Sequence, residues 1–123
     1  MRILVTGGAG FIGSAVVRLA VNSGHEVLNI DKLNYASNLK NLRTIEQLEN
    51  YSFKQLDICD GNNLKRVLNE FKPSAIIHLA AESHVDRSIN EPLHFVDNNI
   101  SGTLNLLEAA RDYWETVGCP ATF

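Results

Sequence analysis

The chain begins Met1-Arg-Ile-Leu-Val-Thr-Gly7-Gly8-Ala-Gly10-Phe11-Ile12-Gly13, an apolar strand that leads through a glycine-rich turn into a helix. Glycine permits a sharp turn and a close approach of the backbone to a ligand, and the free N–H groups at a helix N-terminus attract negative charge. About 20 residues later comes Asp31, where a carboxylate can accept hydrogen bonds from an adenosine ribose. Together these features predict the pyrophosphate site of a dinucleotide, whereas a glycine triplet alone would be weak evidence.

Length, charge and cysteine content narrow the classes of protein. At 123 residues the chain can form one domain with a core, but not two. The 11 basic and 14 acidic residues are interspersed, and the net charge of −3 predicts no nucleic-acid partner. No apolar run approaches the ~18 residues of a membrane span, and no signal region precedes the first strand. Cys59 and Cys119 are far apart, so we expect free thiols, no metal site and a cytoplasmic protein.

Strand and helix patterns alternate along the chain. After the first strand, strands are predicted at residues 26–30, 51–56 and 75–79, the last buried on both faces. Right-handed crossovers between them give an α/β fold with a doubly wound, Rossmann-type parallel sheet in the order 3-2-1-4. Residues 121–123 resemble the start of a fifth strand, so the sheet is truncated before that strand. We therefore interpret the chain as the N-terminal part of a longer protein.

Apolar residues at helical spacing predict the helices. The first helix contains Ile12, Ala15, Val16, Leu19 and Ala20, and a long one from Glu91 to Gly118 contains Val96, Ile100, Leu104, Leu107 and Trp114. A third helix follows the strand at 51–56 and precedes Pro73, and the polar segment 32–50 is predicted to be a loop followed by a helix.

The residues at the predicted strand ends suggest the chemistry of the site. Asp31 would repel a 2′-phosphate, which favours NAD over NADP, although the adjacent Lys32 could accept a phosphate. Asp57 and the following isoleucine could bind adenine, or the aspartate could belong to a plain helix cap. His78 lies in an apolar strand and is expected to be a neutral core residue, while Arg87 suits a phosphate or a carboxylate.

The spacing of Gly7, Gly10 and Gly13 matches Gly-x-x-Gly-x-x-Gly, and the chain resembles the extended short-chain dehydrogenase/reductase family along essentially its whole length. Residues 31–42, 57–60 and 78–89 look most like the dehydratases of that family that act on dTDP-sugars, of which the chain would be only the N-terminal part. The resemblance implies that NAD takes a hydride from C4 of the sugar, that water is eliminated across C5 and C6, and that the hydride returns to C6.

The expected cofactor-binding residues are Gly7, Gly10, Phe11, Ile12, Gly13, Asp31, Lys32, Leu33, Asn34, Asp57, Ile58, Leu79, Ala80, Ala81, Glu82, Ser83 and Asn98. Ser83 would also touch the sugar nucleotide, and Glu82 is included only because it lies within 79–83. Asn34, Ser37 and Asn98 stand where the family usually has Thr, Gly and Thr. Residues 1–123 would thus form an NAD-binding domain, with the catalytic and substrate-binding remainder absent.

No catalytic residue is expected in this chain. The chain lacks the family's Tyr-x-x-x-Lys pair, because none of its three tyrosines has a lysine four residues later. The family's Thr-Asp-Glu segment is missing as well. A pair formed by His84 and Asp86 is disfavoured, since residues two apart rarely face each other in a helix. Two alternatives remain open: another NAD-dependent nucleotide-sugar epimerase or decarboxylase, and a non-catalytic nucleotide-binding module. A homodimer is also left open.

Overall fold

The structure is a computed structural model, which describes residues 1–121. Its four strands are β1 (Arg2–Thr6), β2 (Glu26–Asp31), β3 (Tyr51–Gln55) and β4 (Ala75–His78). All pair in parallel, in the order β3-β2-β1-β4. This confirms the predicted doubly wound sheet and its strand order. The expected fifth strand at residues 121–123 falls largely outside the described residues.

The helices are α1 (Phe11–Asn22), α2 (Gly61–Phe71), α3 (Val85–Asn90), α4 (Pro92–Val96) and α5 (Gly102–Thr116), with a 3-10 turn at Leu39–Leu42 and a π-helical turn at Asp97–Ser101. The loop followed by a helix that was predicted for residues 32–50 is present only as this short 3-10 helix and further turns, and no α-helix forms there. Asn38 explains part of the difference, since its side chain accepts a hydrogen bond from Lys40 N and so stabilises a turn. The short helix α3 was not predicted.

Helices cover both faces of the sheet because apolar side chains alternate along the strands. On one face Leu4, Leu28 and Ile30 pack against α2 and α5. On the other face Ile3, Val5 and Val27 pack against α1 and the 3-10 turn. The two clusters make a three-layer α/β domain, with the carboxyl ends of all four strands at one edge.

The first helix has the predicted period but a different buried face. Its buried residues are Gly13, Ser14, Val17, Ala20 and Val21, whereas two residues of the predicted apolar face, Ile12 and Leu19, are 67% and 69% exposed. Small residues at the contact allow the helix to lie close to the sheet, where Val17 and Val21 also pack, while Ile12 and Leu19 point outward.

The long helix is continuous from Pro92 to Thr116, but it contains the π-helical turn. Such a turn adds a residue to the helical repeat and therefore rotates the buried face along the helix. The buried residues of α5 are Gly102, Leu106, Ala109 and Tyr113, while the predicted residues Val96, Ile100, Leu104 and Leu107 are exposed. The predicted apolar face of this helix therefore points away from the sheet.

The prediction that β4 is buried on both faces was also wrong. All four of its residues are only half-buried, because β1 is its single neighbour in the described sheet. A groove runs beside it between Ile76 and His78 of the strand and Thr103, Leu106 and Leu107 of α5.

Candidate functional site

A cavity opens at the carboxyl edge of the sheet, between the glycine turn after β1 and the loops after β2 and β4. The predicted residues that line it are Gly7, Gly10, Asp31, Lys32, Asn34, Ile58, Leu79, Ala80, Ala81, Glu82 and Asn98. Ligands of doubly wound sheets collect at this edge, where the strand order reverses between β1 and β4. The topology thus brings together residues that are far apart in the sequence.

The glycines of the turn are required for different reasons. Gly7 has a φ of +71°, and a Cβ on it would lie 2.6 Å from the backbone N of Ala80. A Cβ on Gly13 would overlap the carbonyl oxygen of Gly7 and lie 2.8 Å from the Gly8 Cα. A Cβ on Gly10 would meet only the Gly7 carbonyl oxygen, at 3.3 Å. The packing of the chain therefore requires glycine at 7 and 13, whereas Gly10 chiefly keeps the cavity side of the turn open.

The N-terminus of α1 is suited to bind an anion. No side chain caps it, and its first turn contains no acidic residue. Its first N–H groups consequently have no partner in the helix and carry the positive end of the helix dipole. Phe11 and Ile12 lie in this turn with strongly exposed side chains, Phe11 at 91%, so they flank the cavity rather than line it. The turn can hold a pyrophosphate.

Asp31 ends β2 with its carboxylate buried and oriented by the chain. Its Oδ2 accepts a hydrogen bond from Ala9 N at 3.0 Å. Its Oδ1 accepts from Leu33 N and from Ser37 Oγ, both at 2.8 Å. A carboxylate has about four acceptor positions, so one on Oδ2 is left for a ribose hydroxyl. A second hydroxyl could bind Asp31 only by replacing Ser37.

The loop after β2 is shaped by Leu33, whose φ of 61° lies in the left-handed region. Leu33 packs toward the α1 side of the core and does not line the cavity. Asn34 does line it, and its side chain reaches in two directions. Its Oδ1 accepts from Ala36 N at 2.9 Å, and its Nδ2 donates to Glu82 Oε1 at 2.9 Å. Asn34 thereby links the β2 loop to the β4 loop.

The third strand contributes an apolar wall. Ile58 is buried and lines the cavity, whereas Asp57 turns aside and accepts from Cys59 N at 2.9 Å. The N-cap of α2 is Asp60, whose side chain accepts from Asn63 N at 3.1 Å. The alternative reading of Asp57 as part of a helix cap therefore does not apply, since it stabilises only the preceding turn.

Glu82 is the residue whose importance the sequence did not reveal. Its Oε1 accepts from Asn34 Nδ2 at 2.9 Å and from Asn98 Nδ2 at 2.8 Å, and Lys32 Nζ lies 3.4 Å away. Its Oε2 accepts from Tyr35 OH at 3.2 Å. Burial alone would raise the pKa of Glu82, but the hydrogen bonds and the Lys32 charge together lower it, so the carboxylate stays ionised.

The backbone of the same residue is fixed by the π-helical turn. Glu82 N donates to Asn99 Oδ1 at 2.7 Å, and Asn99 Nδ2 donates to the Glu82 carbonyl oxygen at 2.8 Å. The neighbouring Asn98 holds the side chain of Glu82, as described above. Both asparagines therefore fix the β4 loop at the cavity, and the Asn-Asn pair was the only sequence signal for this role.

A second polar network lies behind the cavity. Thr6 Oγ1 accepts from Leu79 N and Ala80 N, both at 3.2 Å, and lies 2.6 Å from His78 Nδ1. His78 Nε2 lies 2.9 Å from Thr103 Oγ1, which itself donates to a backbone carbonyl. His78 Nε2 must then be the donor and Nδ1 the acceptor. Burial lowers the pKa of His78, which favours this neutral form.

The remaining candidates lie outside the cavity. Ser83 is exposed and does not line it. The Arg87 guanidinium lies 3.8 Å from the centre of the Tyr35 ring, and the His84 ring contacts the same tyrosine edge-on. Within residues 1–121 no group of His, Cys, Asp and Glu side chains could hold a metal ion. Among the helices described, none is both long and apolar enough to cross a membrane.

Comparison with known proteins identifies the family. The chain matches a family model described as GDP-mannose 4,6 dehydratase over residues 4–120. It is 54% identical over 119 residues to the dTDP-glucose 4,6-dehydratase of Salmonella typhimurium. The aligned residues make up 96% of this chain and 33% of that protein.

Two solved structures share the fold. The dTDP-glucose 4,6-dehydratase of Streptomyces venezuelae, with NAD and TYD bound, has a TM-score of 0.86 and 44% identity, covering 92% of this chain and 36% of the other. The UDP-glucose 4-epimerase of Thermus thermophilus, in complex with NAD, has a TM-score of 0.80 and 38% identity, covering 92% and 34%. The chain thus spans about a third of the length of the curated relatives it matches. Because the family model matches nearly all of it, the chain belongs to the GDP-mannose 4,6 dehydratase family.

Proposed function

We propose that this chain binds NAD and is the cofactor-binding part of a dTDP-glucose 4,6-dehydratase. The observation that carries the proposal is the cavity in which an uncapped helix N-terminus lies beside the oriented carboxylate of Asp31. Relatives solved with NAD support this cofactor. The curated relatives at 52–56% identity are named dTDP-glucose 4,6-dehydratases, which favours the dehydratase over the epimerase alternative.

The chain's own residues would bind and orient the cofactor. The first turn of α1 would hold the pyrophosphate, Asp31 would accept an adenosine ribose hydroxyl, and Ile58 would cover the adenine. The backbone of residues 79–81 would lie along the inner half of the cofactor, because the small side chains of Ala80 and Ala81 leave it accessible. When bound, NAD supplies the hydride acceptor and donor for the sugar. The hydrogen bonds that Glu82 accepts from Asn34, Tyr35 and Asn98 would keep the loops around the cavity in place.

We propose that the catalytic groups lie outside residues 1–123. No tyrosine of the chain has the lysine that the family's hydride-transfer pair requires, and the chain covers about a third of its relatives. Ser83 would contact the dTDP-sugar, and its exposed position beside the cavity is compatible with that role. Residues 1–123 would form the NAD-binding domain, and the substrate-binding and catalytic domain would follow.

Binding and turnover test this proposal separately. NAD is titrated into the purified protein by calorimetry, with an Asp31→Ala variant as the matched control. We expect one NAD per chain and a loss of at least about tenfold in affinity in the variant, as for a charged hydrogen-bond partner. Incubation of a protein that includes the catalytic part with dTDP-glucose, and with UDP-glucose as the control sugar, then distinguishes a dehydratase from an epimerase, whereas residues 1–123 alone should leave both sugars unchanged. Absence of NAD binding, or equal affinity in the variant, would contradict the proposal.

We further propose that the protein forms a homodimer through the exposed side of the long helix. Leu93, Val96, Ile100, Leu104 and Leu107 all project large apolar side chains into solvent. A second copy could cover such a surface. Sedimentation of the wild type should give a dimer and Leu104→Glu a monomer with the same circular dichroism spectrum. A monomeric wild type would refute this.

The exposed thiols of Cys59 and Cys119 support a reducing compartment, and we propose the cytoplasm.

A further inference from the structure

Lys32 is the only basic residue among those described around the cavity. It directly follows Asp31, so its side chain starts beside the position expected for the adenosine ribose, and an unpaired ammonium group could reach that ribose. A cation at this place can accept the 2′-phosphate that distinguishes NADP from NAD. The sequence alone therefore gives conflicting signals, because the carboxylate favours NAD and the adjacent lysine favours NADP.

The structure shows where the Lys32 charge is directed. Its Nζ lies 3.4 Å from Oε1 of Glu82, which belongs to the loop after β4, and the two side chains are 25% and 2% exposed. Glu82 cannot turn away to release it, because Asn34, Tyr35 and Asn98 hold the carboxylate from the loop after β2 and from the π-helical turn. The ion pair is partly buried, so solvent screens it less than a surface pair.

We propose that Glu82 is a specificity-determining residue, which sets the preference for NAD over NADP by holding the Lys32 ammonium group away from the 2′-position of the adenosine ribose. This rests on the proposed function, namely that the cavity binds NAD. Asp31 repels a 2′-phosphate, and Glu82 holds back the Lys32 cation that could compensate for that repulsion. The exclusion of NADP therefore depends on two carboxylates from different loops.

Dissociation constants for NAD and NADP, measured by calorimetry on the purified protein, test this inference. Glu82→Gln keeps the size of the side chain and an acceptor for its asparagine partners but removes the charge that holds Lys32. We expect the ratio of the NADP constant to the NAD constant to fall by about tenfold, the effect of one charged hydrogen bond to phosphate. The double variant Glu82→Gln with Lys32→Met should restore the wild-type ratio.

Each outcome has a distinct meaning. If Glu82→Gln weakens both cofactors equally, the residue acts only on the shape of the site and the inference is overturned. If the double variant keeps the altered ratio, Lys32 is not the mediator. If the wild type binds neither cofactor, the proposed function itself fails.

A single Lys32→Met variant keeps the inference testable even where Glu82→Gln does not fold. Its ratio of NADP to NAD constants should stay close to the wild-type value, because Glu82 already neutralises the lysine. A selective loss of NADP affinity in this variant would contradict the inference.

Discussion

Replacing Gly13 by alanine should destabilise the fold, although alanine is the better helix former. The new Cβ would overlap the Gly7 carbonyl oxygen, and both this atom and the nearby Gly8 Cα are backbone atoms that cannot rotate aside. We assign the overlap about 3 kcal/mol, the upper end for overpacked sites. Alanine returns about 1 kcal/mol through helix propensity. The net loss of about 2 kcal/mol corresponds to a fall in Tm of about 8 °C for a domain of this size.

The matched control is Gly10→Ala in the same turn. Its Cβ would contact only one carbonyl oxygen at 3.3 Å, and the backbone at Gly10 is extended, with φ −76° and ψ 177°. Thermal unfolding followed by circular dichroism should therefore show a small change for Gly10→Ala and a large one for Gly13→Ala. Calorimetry should show weaker NAD binding for Gly10→Ala. Equal Tm values for the two variants would refute the steric argument.

Three further outcomes follow from the polar contacts. Thr6→Val should lower the free energy of unfolding by about 2 kcal/mol, because Ala80 N loses its acceptor and His78 Nδ1 loses its donor, whereas Leu79 N keeps the Thr6 carbonyl oxygen; an unchanged urea midpoint would count against this. Tyr113→Phe should lower the free energy of unfolding by about 1 kcal/mol, because the hydrogen bond to the Pro73 carbonyl oxygen is lost; urea unfolding that shows no difference from the wild type would contradict this. Because folding lowers the pKa of Glu82, its contribution is complete above the ordinary value of 4.5 and is lost as the pH falls through the folded value. The Tm difference between wild type and Glu82→Gln should therefore shrink in acid, and a pH-independent difference would contradict the assignment.

The sequence could predict the elements whose local signals and tertiary environment agree. The glycine turn, the strand that ends at Asp31 and the strand order are of this kind, because each depends on backbone chemistry or short apolar runs. The buried faces of the helices were harder. In α1 the small residues Gly13 and Ala20 face the sheet while Leu19 points outward, and apolar periodicity cannot distinguish these two faces.

The polar part of the site was beyond a reading of local patterns. Glu82 meets Asn34 and Asn98, which are 48 and 16 residues away in the chain, so no local spacing reports the contact. The π-helical turn that presents Asn98 and Asn99 has no reliable sequence signature. The family resemblance nevertheless placed Asn34, Glu82 and Asn98 among the expected cofactor-binding residues, but it did not indicate the hydrogen bonds between them.

A crystal structure of the protein grown with NAD would show whether the cavity at the carboxyl edge of the sheet holds the cofactor. We expect the pyrophosphate at the N-terminus of α1, against Gly10, and an adenosine ribose hydroxyl within hydrogen-bond distance of Asp31 Oδ2. The ion pair between Lys32 and Glu82 should remain formed, with the Lys32 ammonium group held away from the 2′-position of the ribose. NAD bound at any other surface, or an adenosine ribose that makes no contact with Asp31, would contradict the proposed NAD site.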